Sequence, residues 1–222
     1  MDYSPLMHAA SSGNDREVEA ILNSIKDAPE EERMQYLELR QSSLRMTPLR
    51  GLVTGARFCE VNRGVVAGPN IWPNPPKKHQ VDHEKCARLL LEAGANPNCK
   101  DVMGKTPLMQ CCNAFATSAS FAVAEELVEF NADLSLKCRL GSCLLLPACL
   151  QGRKDCVQKM LELGADPNMV NEIRLGAMMP PGVPKEQRLV DFPFPNPSAK
   201  ACTALLLEEA ARRKKSKKSW KI

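Results

Sequence analysis

Residues 89–98 read LLLEAGANPN, and the phrase returns in altered form as VEFNADLS at 128–135 and as MLELGADPN at 160–168. Gly94, Asn131 and Gly164 hold the same place in the three copies, 37 and 33 residues apart. A period of that size belongs to supersecondary units set in a row rather than to one globular core. In each copy large apolar residues, Leu89, Leu90 and Leu91 in the first, close a helix. The Gly or Asn then lets the chain leave through a left-handed residue, a conformation these two types tolerate best. Ala95, Ala132 and Ala165 keep that exit small enough for a neighbouring unit to dock.

Working upstream, Thr106-Pro107-Leu108 recurs as Ser4-Pro5-Leu6 and as Thr47-Pro48-Leu49. This pattern predicts a helix start. The hydroxyl accepts from an N–H of the first turn, the proline gives up a donor that had no partner there, and the leucine is the first buried side chain. Small pairs follow, Ala9 with Ala10, Cys111 with Cys112 and Ala148 with Cys149, so that a second helix can come close. Each unit is therefore expected to be a helix hairpin followed by an extended turn.

With openings and closings in place, the chain resembles the ankyrin-repeat family, whose Thr-Pro-Leu-His starts the first helix and whose Gly-Ala-Asp/Asn-x-Asn ends the second. The best copy joins Gly94, Ala95, Asn96, Pro97 and Asn98 to Asp101, Gly104, Thr106, Pro107 and Leu108, and recognisable text covers about half of the chain. Two departures stand out. Met7, Arg50, Met109 and Leu146 occupy the place of the family's histidine, which predicts loss of its hydrogen bond to the turn. The fourth opening reads Cys143, Leu144, Leu145 with Pro147 behind it, so that helix should begin late or bend. The resemblance implies an all-α solenoid of stacked helix-turn-helix repeats with short β-turn or hairpin loops. About four repeats and a capping helix fill residues 1–211, with insertions near 23–46, 57–82 and 175–199, and a basic tail at 212–222.

The insertions differ in character. Pro29 to Gln41 has good helix formers behind a proline and acidic residues in its first turn, and predicts an extra helix. Ala56 to His83 and Leu175 to Ser198 carry GPNIWPNPP, MMPPGVP and DFPFPNP, too rich in Pro for a helix, and read as irregular arms. Thr203 to Arg213 predicts the closing helix, with Leu205, Leu206 and Leu207 covering the last repeat and Glu208 and Glu209 facing water.

Charged residues at 25% and hydrophobic ones at 44% fit a soluble protein, and aromatics at 5% fit helices packed through Leu and Ala. The ten cysteines fall below the density of a disulfide scaffold; Cys86, Cys111, Cys112, Cys149 and Cys156 lie on small apolar helix positions, which predicts reduced, buried thiols in an intracellular protein, cytoplasmic or nuclear. MDYSPLMHAA lacks the basic start and apolar stretch of a secretory signal. The longest apolar run, Cys143 to Leu150, is less than half of the roughly 20 residues that span a bilayer.

His79, His83 and Cys86, with Cys59 across the same insertion, have the chemistry of a zinc site. Packed or surface positions for these residues are the stronger expectation, because no Cys-x-x-Cys pair accompanies them; neither metal nor cofactor is expected. His8, His79 and His83 are the only histidines, and none adjoins a nucleophile elbow, a phosphate loop or a carboxylate pair. The chain is not expected to be an enzyme.

Proteins resembling this array mostly bind other proteins along the concave side made by turn tips and first-helix faces. A non-enzymatic scaffold or adaptor, monomeric and binding one protein partner, is the leading expectation. Lys100, Val102, Met103, Lys105, Lys137, Arg139 and Leu140 at the tips are free to specify that partner, with Met109, Gln110 and Asn113 as the groove floor. Met7, Leu146 and Leu150 are expected to be packed. The alternative is a nuclear or nucleic-acid-associated regulator acting through its tail. Arg212, Arg213, Lys214, Lys215, Lys217, Lys218 and Lys221 carry seven positive charges, without which the net charge of +4 becomes −3. Such a run resembles an import-receptor signal and suits polyanions, while its bland reading is a solvated, disordered end on which phosphorylation of Ser216 or Ser219 would cancel charge. The resemblance also implies that Asn98 and Asn168 are hydroxylation targets.

Overall fold

The computed structural model describes residues 4–39, 46–61, 81–113, 116–172, 186–191 and 197–219, with the backbone alone at 58–61 and 216–219. Its helices pair as hairpins: α1 (Pro5–Ser12) with α2 (Asp15–Ser24), α4 (Pro48–Val61) with α5 (His83–Glu92), α6 (Pro107–Cys111) with α7 (Ser118–Glu129), and α8 (Leu146–Leu150) with α9 (Lys154–Glu162). α3 (Glu30–Leu37) is the extra helix of the first insertion, shorter than its pattern allowed. The fold is the ankyrin-type solenoid. Its contacts form two compact units, one of Met1–Val102, Thr106–Cys111 and Phe115–Ala132, the other of Met103–Lys105, Cys112–Ala114 and Asp133–Ile222.

In the first unit the opening motif works as its chemistry requires. Ser4 accepts from the Met7 N–H at 3.2 Å and Thr106 from the Met109 N–H at 3.3 Å. Leu6, Leu49 and Leu108 are each 1% exposed, so each withdraws a side chain worth about 1.5–3 kcal/mol from water. Thr47 departs from the pair: its hydroxyl lies 3.3 Å from Cys99 Sγ. The small residues are used for close approach. A Cβ on Gly55 of α4 would stand 1.8 Å from the Ser11 carbonyl oxygen of α1, so these helices meet at a distance only glycine permits.

The closing phrase builds the same cap each time. The Gly94 N–H donates to Leu91 O and the Ala95 N–H to Leu90 O, and Asn131 with Ala132 repeats this on Val128 and Leu127. Both are the paired bonds of a left-handed helix exit, with φ of 101° at Gly94 and 63° at Asn131. One residue on, Asn96 Oδ1 accepts from the Asn98 N–H at 2.8 Å and Asp133 Oδ1 from the Ser135 N–H at 2.8 Å, tying each tip into an Asx-turn.

The second unit, which already holds the Asp133 turn, has a further exit at Gly164 and a further Asx-turn at Asp166, whose Oδ1 accepts from the Asn168 N–H at 2.9 Å. Its opening lacks a side-chain cap, and α8 begins only at Leu146 with Pro147 in its first turn. Met7 at 3% and Leu146 at 6% exposed are packed, but Leu150 is 41% exposed, against expectation, because α8 ends there. The arm after the last repeat is not wholly irregular. β1 (Val170–Glu172) and β2 (Glu186–Arg188) pair antiparallel, Val170 opposite Arg188 and Glu172 opposite Glu186, and the 3-10 turn Leu189–Asp191 follows. Asn171, fully buried, accepts from the Cys143 N–H at 3.0 Å and so ties this ribbon to the fourth opening.

α10 (Pro197–Ser219) is longer at both ends than the expected closing helix. It buries Ala199, Cys202, Leu206 and Ala210, a spacing of three and four residues that makes one helical stripe. Only Leu206 of the three leucines is buried; Leu207 is 55% exposed, because successive residues on a helix cannot share a face. Glu209 is drawn in as well, bonded to Arg212 and Arg213 rather than turned to water.

Candidate functional site

The tip residues fall on both units. In the first, Lys100 is exposed and Val102 half-buried beside Asp101, which receives Arg50 Nη2 at 2.9 Å. Arg50 is 2% exposed and stands where the family's histidine would be. The predicted loss of a turn bond is therefore corrected at this copy: an arginine on the first helix makes a buried, charge-assisted bond to the tip. Met109 is buried at 7% exposure, Gln110 is half-buried with its Oε1 unpartnered, and neither offers a broad surface.

In the second unit Met103, Lys105 and Arg139 are exposed and Leu140 half-buried, and the Arg139 N–H donates to Met103 O at 2.9 Å. Two successive tips are thus joined through backbone, leaving the thioether and the two cationic chains outward. Lys137 is partly spent, its Nζ lying 2.5 Å from Glu172 Oε1 on β1. Asn113 is half-buried, its carbonyl accepting from Cys156 Sγ at 3.7 Å.

The basic tail is not a uniform run. α10 continues through it to Ser219, so a disordered end is not what the described residues form. Glu209 bonds Arg212 at 2.7 Å and Arg213 at 2.6 Å, and these guanidinium bonds hold its carboxyl down to about 2. Arg213 also donates to Leu161 O at 2.8 Å in the last turn of α9 and to Ala165 O at 3.0 Å in the turn beyond it. Lys214 and Lys215 are exposed, and Lys217 and Lys218 follow on the same helix. Lys221 lies outside the described residues.

Of the zinc candidates, His83 is 4% exposed at the start of α5 and Cys86 is fully buried, whereas Cys59's side chain and His79 lie outside the described residues. No cluster of three or more metal-type ligands occurs among the described residues. Burial lowers the His83 pKa against the opposing bond to the Ser11 backbone and the nearby Asp82 charge, while its Nε2 is left unpartnered. The described cysteines are free and buried, and desolvation pushes the thiols of Cys86 and Cys156 up to about 12, which keeps them un-ionised. His8 on α1 is half-buried. Among the described residues no helix is long and apolar enough to cross a membrane. The Asx-turns at Asn96, Asp133 and Asp166 went unread in the sequence, although an Asn or Asp two residues ahead of a polar tip residue was their signal.

Residues 79–171 match the model of ankyrin repeats in three copies. No curated protein matches the chain. Among solved structures the chain is similar to an ankyrin repeat domain from Acinetobacter baumannii AYE, at 20% identity and a TM-score of 0.52, over 77% of this chain and 66% of that one. That likeness bears on fold alone, and the hairpins α1–α2 and α4 extend the array upstream of the matched residues. Repeat text, matched model and helix-hairpin fold agree over residues 79–171, and this stretch of the chain is built of ankyrin repeats.

Proposed function

We propose that this chain is a non-enzymatic adaptor that binds one protein partner through its turn tips, chiefly Met103, Lys105, Arg139 and Leu140. Ankyrin repeats are generally protein-interaction modules, and the observation that supports tips as the contact here is a division of labour. Leu6, Leu49, Leu90, Leu108, Leu127 and Cys86 of the hairpins are buried, while Met103 is 40% exposed and Lys105 and Arg139 are exposed beside it. An exposed thioether between cations suits an extended partner segment that supplies an apolar side chain and acidic neighbours. The reading needs no ligand, metal or second copy of the chain.

Capture of proteins on the immobilised chain, compared with capture on Met103→Ala/Arg139→Glu, tests it. The expected result is a partner kept by the native chain and lost by the variant, with unchanged circular dichroism. A partner retained equally by both would remove the tips from the interface.

A further inference from the structure

We propose that the end of α10 is a binding peg for the phosphate backbone of duplex DNA, presenting four lysines rather than the six cations its sequence offers between 212 and 218. Arg212 and Arg213 are already engaged by Glu209, and Arg213 is also held on the carbonyls of Leu161 and Ala165. The helix is anchored to α9 up to that residue and continues to Ser219. Lys214 and Lys215 are exposed, and no carboxylate pairs with them among the described residues. At about 100° per residue, Lys214, Lys215, Lys217 and Lys218 occupy register positions within roughly 160° of arc.

Placed so, the lysines suit the negative end of the helix dipole, but Lys214 with Lys218 and Lys215 with Lys218 stand one turn apart and repel. A line of phosphates relieves that repulsion and releases counterions. The choice among polyanions follows from shape. Residues 214–219 read KKSKKS, polar throughout, and the apolar Trp220 and Ile222 that follow lie outside the described residues. A helix about 10–12 Å across fits the roughly 12 Å major groove of B-form DNA, whereas the major groove of duplex RNA is too deep and narrow. None of the tip residues assigned to a protein partner takes part, so the two readings stand or fall separately.

The test is fluorescence anisotropy of a labelled mixed-sequence DNA duplex against the full chain over a series of salt concentrations. Four phosphate contacts give a slope of log K against log salt of about −3.5, and Lys214→Ala/Lys215→Ala lowers it to about −2 with circular dichroism unchanged. Glu209→Gln, which frees Arg212, steepens it to about −4.5. A slope near −5.5 in the native chain, as six free cations would give, overturns the count of four. A slope unaffected by the lysine substitutions, tighter binding to duplex RNA, or tighter binding to phosphatidylserine vesicles overturns the assignment to DNA.

Discussion

Arg50 carries a charge into the interior of the first unit, and Asp101, its partner at 2.9 Å, has a side chain only 10% exposed. Removing one member of a buried pair strands the other, so Arg50→Met is expected to cost about 3 kcal/mol in urea unfolding. Asp101→Asn, which keeps an acceptor, should cost less. His83 gives a pH dependence of known sign. Burial depresses its pKa, so the unfolded chain takes up a proton near 6.5 before the folded one does. Stability from this residue is complete above that pH and drains away below it, by up to about 1.4 kcal/mol per pH unit, until the folded pKa is reached. Urea midpoints between pH 7.5 and 5 should fall for the native chain and fall less for His83→Gln. The sequence displayed Arg50 as a missing histidine, since a single position cannot show that an arginine reaches a carboxylate 51 residues away.

The hairpins were legible element by element because each rule acts within a few residues. A hydroxyl before proline caps a helix, a Gly or Asn exits it, and the apolar period sets the buried stripe; Leu90, Leu108 and Val123 are 0%, 1% and 0% exposed accordingly. Illegible were features decided by what lies opposite: the ribbon β1–β2, whose second strand follows the Pro-rich text, and the exposure of Leu207. Gly55 is of this second kind, an ordinary helical glycine until Ser11 is set against it. Gly55→Ala is expected to force α1 and α4 apart at a cost of about 1–3 kcal/mol. Gly51→Ala should cost less, because its Cβ would meet, at 2.4 Å, the sulfur of a Met7 side chain that can turn away. Thermal unfolding of the two variants side by side checks the order.

Over the whole molecule, the repeat text was enough to mark residues 79–171 as ankyrin repeats, while the candidate site was readable only as a set of tip positions. Which tip residues are open depends on neighbours that sequence does not display: Lys137 meets Glu172, Asp101 meets Arg50, and Met109 is packed. The account holds that packing and recognition are assigned to different residues, with burial carried by the hairpins and exposure by tip residues such as Lys100, Met103 and Arg139. Urea unfolding of Leu90→Ala beside Lys100→Ala and Arg139→Ala tests this most directly. Leu90, 0% exposed, should lose about 2–5 kcal/mol, and the two exposed cations should stay within about 0.5 kcal/mol of the native chain. An unchanged midpoint for Leu90→Ala, or losses of equal size at the tips, would contradict it.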